Sequence, residues 1–194
     1  MMVSKRTKSS VTVNILVEGY YYTRYKDGKS EYVCPTVALV QDNGLRIISD
    51  PGTVQQPFIL VDRLKMRDLK PVDIDVVFIS HSHMDHFKYV GLFPQAKVFD
   101  YWGVWQDDGF RIGEKIINEN IQLIETPGHT YDSVSLMVKA DIGTVVICGD
   151  VFWNNDLFFK DPFLVDPELL KKSRDLVLDV ADYIVPGHGP MFKT

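Results

Sequence analysis

Residues 80–86 read Ser-His-Ser-His-Met-Asp-His, and three of the chain's five histidines fall inside that heptapeptide. Imidazole is a common neutral metal ligand near pH 7. A loop this rich in histidine, with a carboxylate set inside it, points to metal binding. The other two histidines keep similar company: His129 lies in "TPGHT" and His188 in "PGHG". Asp150 ends "CGD", and Asp50 lies in "SDPGT". Any one of these alone reads as an ordinary hydrogen-bonded side chain. As a set they share a feature, because each directly follows an apolar stretch that reads as a strand. "VVFIS" precedes His81, His83, Asp85 and His86, "IQLIETPG" precedes His129, "VVICG" precedes Asp150, "YIVPG" precedes His188 and "LRIIS" precedes Asp50. Strand ends gathered at one sheet edge would bring these distant residues into one cleft.

The donor types narrow the chemistry. Histidine and carboxylate without thiolate suit zinc, iron or manganese at a catalytic site, whereas structural zinc sites favour cysteine. Cys34 and Cys148 sit in apolar runs away from the strand-end turns, which makes them reduced core thiols and favours a reducing compartment. Five histidines with Asp85 and Asp150 are too many donors for one tetrahedral ion, so two ions are the natural division. A close metal pair can stabilise both the attacking and the leaving oxygen.

The elements that must position these residues follow from pattern. "VTVNILVEGYYY" (11–22), "EYVCPTVALVQ" (31–41) and "GLRIISD" (44–50) predict a three-stranded meander, with turns at Asp27-Gly28 and Asp42-Asn43-Gly44. Residues 54–69 change to helical period, with Leu60, Val61 and Leu64 on one face and Pro57 in the first turn. "DIDVVFIS" (73–80) predicts a buried strand, and "AKVFDY", "IQLIET", "VSLMVKA", "GTVVICGD" and "YIV" predict further strands. Residues 166–182 predict a helix capped by Asp166, with Leu169, Leu176, Val177 and Val180 on one face. The order predicts two sheets, each covered by helix, in a single domain spanning 1–194, with residues 1–10 as a flexible N-terminal tail.

Composition sets outer bounds. The 194 residues are 45% hydrophobic and 24% charged, as in soluble globular proteins, and the net charge of −5 argues against a large nucleic-acid footprint. Lys171, Lys172 and Arg174 form a dense basic stretch, read as a solvated helix face. No apolar run is long enough to span a membrane, and no signal-peptide pattern is present, so a cytoplasmic location is expected.

The four motifs around His81–His86, His129, Asp150 and His188, with Asp50 ahead of them, resemble those of the metallo-β-lactamase superfamily in order and spacing. "GLFPQAKVF" (91–99) and "ADYIVPGHGPMF" (181–192) are similar to its small stand-alone branch of metallo-β-lactamase domain-containing proteins. The resemblance implies an α/β fold of the four-layer αββα sandwich type with a dinuclear site, most often two zinc ions. Carried over by position, His81, His83 and His129 would hold one ion, Asp85, His86 and His188 the other, and Asp150 would bridge them. Asp50 would orient the ligand loop from outside the ligand set. The chain departs from the family at Phe87-Lys88-Tyr89-Val90-Gly91, where Gly-Gly is usual, and at Tyr131-Asp132-Ser133, where a Gly usually precedes Ser. These departures bear on the pocket, not on the ligands.

The resemblance thus implies a hydrolase acting on ester, lactone, thioester or phosphodiester bonds of small molecules, with Asp85 orienting the attacking hydroxide. Asp150 is typically absent from secreted zinc β-lactamases, so β-lactam turnover would be weak. Three alternatives stand beside this: a mononuclear iron persulfide dioxygenase, an endoribonuclease or phosphodiesterase acting on nucleic acid, and a metal-binding module without turnover. Substrate contacts are expected from Tyr25, in a flap at the tyrosine-rich hairpin. Phe152, Trp153 and Phe158, in the aromatic loop after Asp150, are expected to line the pocket. The same aromatics could instead form a homodimer interface.

Overall fold

The computed structural model describes residues 10–24, 30–157 and 159–194. Strand β1 (Val11–Val17) is followed by a hairpin, β2 (Tyr20–Arg24) and β3 (Ser30–Cys34), and then by β4 (Val37–Asp42) and β5 (Leu45–Ser49). The predicted three-stranded meander is therefore built from β1, β4 and β5, and the hairpin is a separate two-stranded sheet. Each long apolar run is broken in the middle. Gly19 N–H donates to Thr36 Oγ1 at 3.1 Å, and a Cβ at Gly19 would collide with Thr36 and the Cys34 carbonyl. Thr36 N–H in turn donates to the Gly187 carbonyl at 2.6 Å. The chain leaves the sheet here to pack against the His188 turn. Asn43 and Gly44 both take positive φ, as the tight turn joining β4 to β5 requires.

Helix α1 (Phe58–Lys65) crosses from β5 to the parallel strand β6 (Val76–Phe78), and the short helix α2 (Met84–Phe87) lies between β6 and its parallel neighbour β7 (Lys97–Phe99). Parallel neighbours need such crossovers. The antiparallel pair β8 (Gly103–Gln106) and β9 (Gly109–Ile112) completes a sheet ordered β1-β4-β5-β6-β7-β8-β9. These two strands form an edge hairpin, with Trp105 stacked on Phe110 across them.

A second sheet holds β10 (Ile121–Glu125), β11 (Val134–Ala140), β12 (Gly143–Ile147), β13 (Tyr183–Val185) and β14 (Phe192–Lys193), in that order. Helix α3 (Pro167–Val180) crosses between the parallel strands β12 and β13. The Asp166 carboxylate caps it, accepting from the Glu168 and Leu169 N–H groups at 3.0 Å.

Four layers result. Successive residues of β6 face opposite sides: Val76 and Phe78 join the core between the sheets, while Val77 packs under α1 with Leu60 and Leu64. On β12, Val145 and Ile147 face the inter-sheet core, while Val146 packs beneath Leu170 and Val177 of α3. The fold is the expected αββα sandwich. The buried stripe of α3 runs Leu170, Ser173, Val177, and Leu176 is 42% exposed, so the expected face is rotated. Ser173 turns inward because its hydroxyl donates to the Pro127 carbonyl at 2.6 Å. Among the described residues, no helix is long and apolar enough to cross a membrane.

Candidate metal centre

Parallel strands carry their carboxyl ends to the same edge, and loops there converge on one crevice. Asp50 follows β5, the loop from His81 to His86 follows β6, His129 follows β10, Asp150 follows β12 and His188 follows β13. These residues meet as two groups. In the first, ligand atoms of His81, His83, His129 and Asp150 all lie within 4.8 Å of one another, and in the second so do those of Asp85, His86 and His188.

In the first group, His83 Nδ1 lies 3.0 Å from both His81 Nε2 and His129 Nε2, and Asp150 Oδ2 lies 3.3 Å from His129 Nε2. In the second, Asp85 Oδ2 lies 3.5 Å from His86 Nε2 and 3.6 Å from His188 Nε2. Asp150 Oδ1 lies 3.3 Å from the same His86 nitrogen and 3.2 Å from that of His188. Asp150 Oδ2 also lies 3.3 Å from His188 Nε2, so the carboxylate stands between the groups, with Oδ1 on the second and Oδ2 within reach of both.

The far sides of the rings are held from outside. His86 Nδ1 meets Asp50 Oδ2 at 3.1 Å, and Asp50 Oδ1 accepts from the Ser80 N–H at 2.8 Å, so the Asp50 carboxylate touches both the start of the loop and its last histidine. His188 Nδ1 donates to the Cys34 carbonyl at 2.9 Å. His129 Nδ1 lies 2.6 Å from Asp161 Oδ2. Partners of this kind fix the proton on Nδ1 and leave Nε2 free to ligate.

Burial, with the neighbouring His86, pushes His81 well below the usual imidazole range, and burial with His129 lowers His83. Burial opposes charge on His86, but the Asp150 and Asp50 carboxylates outweigh it and lift His86 well above that range. Burial likewise opposes ionisation of Asp150, and His188 and His86 reverse it, holding the carboxyl well below the usual range.

The donor set fits a metal pair. His86 Nε2 and Asp150 Oδ1 are fully buried, yet none of their 3.2–3.5 Å contacts has the geometry of a hydrogen bond. Buried polar atoms left unpaired are rare. His81 Nε2 and His129 Nε2 both crowd His83 Nδ1, which has a single proton or a single lone pair and cannot make a full hydrogen bond to each. Their 3.0 Å spacings sit near the edge of about 3.3 Å for a tetrahedron with bonds of 2.0–2.1 Å.

The structure brings together every histidine and aspartate expected from sequence, Asp50 included. The aromatic expectations fare differently. Trp153 lines a cavity of about 340 Å³ over His83, Asp85 and Asp150, with Tyr21, Val33, Met84 and Phe163. Phe152, its neighbour, turns the other way into the core under α3, where it meets Phe192 edge-on and lies beneath the Arg174 guanidinium, so it does not line the pocket. Tyr25 and Phe158 lie outside the described residues.

Both cysteines, contrary to expectation, stand at strand ends: Cys34 closes β3 and Cys148 follows β12. Both thiols are nonetheless buried, the Cys148 thiol donating to the Val185 carbonyl at 3.5 Å. Arg174 is not merely solvated, since its Nε donates to the Val151 carbonyl at 2.8 Å. Asp161, Glu31 and Phe163 were not legible as site residues. For Asp161 the only signal is an Asp-Pro pair inside an aromatic loop.

A four-layer αββα sandwich whose parallel strand ends empty into such a double histidine–aspartate cluster defines a class of metallohydrolases. The model of the metallo-beta-lactamase superfamily matches residues 35–119. A metallo-beta-lactamase domain-containing protein 1 from Xenopus laevis is 33% identical over 192 residues, 94% of this chain and 81% of that protein. Its Homo sapiens namesake is 34% identical over 157 residues, and the match takes in 76% of this chain but only 59% of the human protein. Among solved structures, a Thermotoga maritima protein assigned to the metallo-beta-lactamases superposes with a TM-score of 0.76 at 23% identity, covering 95% of this chain and 100% of that one. A dizinc quorum-quenching lactonase holding an L-homoserine product gives 0.66 at 16% identity, over 85% and 76% of the two chains. The chain belongs to the metallo-beta-lactamase superfamily, and it is an enzyme of the metallohydrolase class within it.

Proposed function

We propose that this protein is a dinuclear zinc hydrolase that opens ester, thioester and lactone bonds of small neutral acyl substrates. What supports two ions is the position of Asp150 between two donor sets: its Oδ1 lies 3.2–3.3 Å from the His188 and His86 nitrogens of the second, and its Oδ2 lies 3.3 Å from both His129 Nε2 of the first and His188 Nε2 of the second. A mononuclear iron site would need only one of these sets.

Bound there, two divalent ions supply a water acidified toward neutral pH and a positive site for developing negative charge. Asp85, a member of the second set, lines the pocket, where it would accept a hydrogen bond from the attacking water and aim it at the carbonyl carbon. Asp50 and Ser80 keep His86 and the loop in place while this happens. Tyr21 meets Trp153 edge-on at 5.0 Å and Trp153 stacks on Phe163 at 6.1 Å, a wall that holds an acyl group and excludes bulk water.

Among the described residues, no lysine or arginine lines this cavity, while Glu31, Asp85 and Asp150 do. With Asp85 and Asp150 taken up by the ions, Glu31 is the remaining charge on the described wall and no side-chain cation is there to hold a phosphate, which favours neutral acyl substrates over phosphodiesters and nucleic acid; the likeness to a dizinc lactonase points the same way. Phosphodiester and β-lactam turnover would then be side activities.

His83→Ala and Asp150→Ala are expected to lower hydrolysis across a panel of aryl esters, thioesters and lactones at least about 100-fold while the far-ultraviolet circular dichroism stays native. Undiminished turnover in either variant would sink the site.

A further inference from the structure

The aromatic loop after Asp150 returns to the site with one buried carboxylate. Asp161 is 1% exposed at its side chain, and its Oδ2 lies 2.6 Å from Nδ1 of His129. Its Oδ1 accepts from the backbone N–H of Phe163 at 2.9 Å. The Phe163 ring stands edge-on to His83 at 6.3 Å and stacks on Trp153. One side chain therefore touches a histidine of the first donor set and fixes the turn that carries a wall of the pocket.

We propose that Asp161 is the positioning residue for His129, holding the proton on Nδ1 and so presenting Nε2 to the ion of the first donor set, while its other oxygen anchors Phe163 against the pocket. The inference rests on reading His81, His83, His129 and Asp150 as metal ligands.

Both hydrogen-bond neighbours of the carboxylate among the described residues are donors: the Phe163 N–H, and the His129 Nδ1–H that must exist if Nε2 is to ligate. Asp161 supplies two acceptors. An asparagine supplies one acceptor and one amide N–H, so whichever way it is turned, one donor faces another. If the amide N–H faces His129, it selects the tautomer with hydrogen on Nε2, which cannot bind a metal. An alanine leaves the ring unguided but imposes no wrong tautomer. The carboxylate's effect therefore differs from that of a space-filling group.

The test is titration of metal-free protein with Zn²⁺ against a chelator of known affinity, for wild type, Asp161→Asn and Asp161→Ala, with circular dichroism reading the fold. Wild type is expected to take two ions. Both variants are expected to lose about 10–100-fold in affinity at one ion and to keep the other, with Asn no better than Ala in spite of its closer shape. Wild-type affinity in the Asn variant would overturn the proposal, whether or not Ala is weakened. Nitrogen chemical shifts of the His129 ring in wild type give a second reading that needs no variant. The proton is expected on Nδ1, and finding Nδ1 bare would overturn the proposal. A wild type that binds no metal would instead remove the reading of the ligands on which the proposal stands.

Discussion

At Asp150 the carboxylate reaches both donor groups because nothing beyond a hydrogen stands at Gly187, where an added Cβ would collide with Asp150 Oδ1. Gly52 makes similar room for the backbone carbonyl of Asp85. Gly187→Ala is expected to push Asp150 aside without touching any donor atom. Displacements near 1 Å can lower turnover about 100-fold, so kcat should fall by that order while circular dichroism stays native; unchanged kcat would mean that Asp150 does not depend on this gap. The histidines and aspartates of the two groups were legible because histidine is scarce in this chain and each one ends an apolar run. Asp161 was not legible, because a single aspartate in an irregular loop has no period and no spacing to mark it. Phe152 and Trp153 are adjacent in sequence and equally aromatic, yet they fall on opposite sides of the turn after Asp150, a distinction that only the packing beneath α3 draws.

At the scale of elements, β5–α1–β6 and β12–α3–β13 supply the parallel strand ends on which the site is built. Their strands were legible as apolar runs bounded by turn residues. The interruptions at Glu18-Gly19 and Pro35-Thr36 were not, since they answer to tertiary contacts with the His188 turn rather than to local propensity. In α3 the cap was read correctly and the buried face was not, because the inward Ser173 counts as polar in a hydrophobic pattern. Asp166 both caps α3 and, through its own N–H, bonds the Gly128 carbonyl beside His129 at 2.9 Å. Asp166→Ala is expected to cost about 1 kcal/mol. That corresponds to a fall of about 2–4 °C in Tm by calorimetry, with both ions retained. An unchanged Tm would show that the cap contributes nothing net.

Over the whole molecule, the two sheets close around one core, and each outer face is sealed by a helix. The thiols report on that closure. Burial, helped by Asp85, pushes the Cys34 thiol up to about 12, and burial pushes Cys148 to about 12 as well. Thiolate is the reactive form, so neither cysteine should react with a water-soluble aromatic disulfide at pH 8 until denaturant unfolds the chain. Fast modification of native protein would reveal local opening at β3 or β12. The layers and the double donor set carry the central claim, which is that this chain holds two metal ions and uses them for hydrolysis. Elemental analysis of the purified protein, with hydrolysis of a lactone and an aryl ester followed before chelation, after chelation and after zinc is restored, tests it most directly. Two ions per chain, activity lost with them and regained on reloading, is the expected result. One iron per chain with oxygen uptake on a persulfide, or hydrolysis indifferent to metal removal, would contradict it.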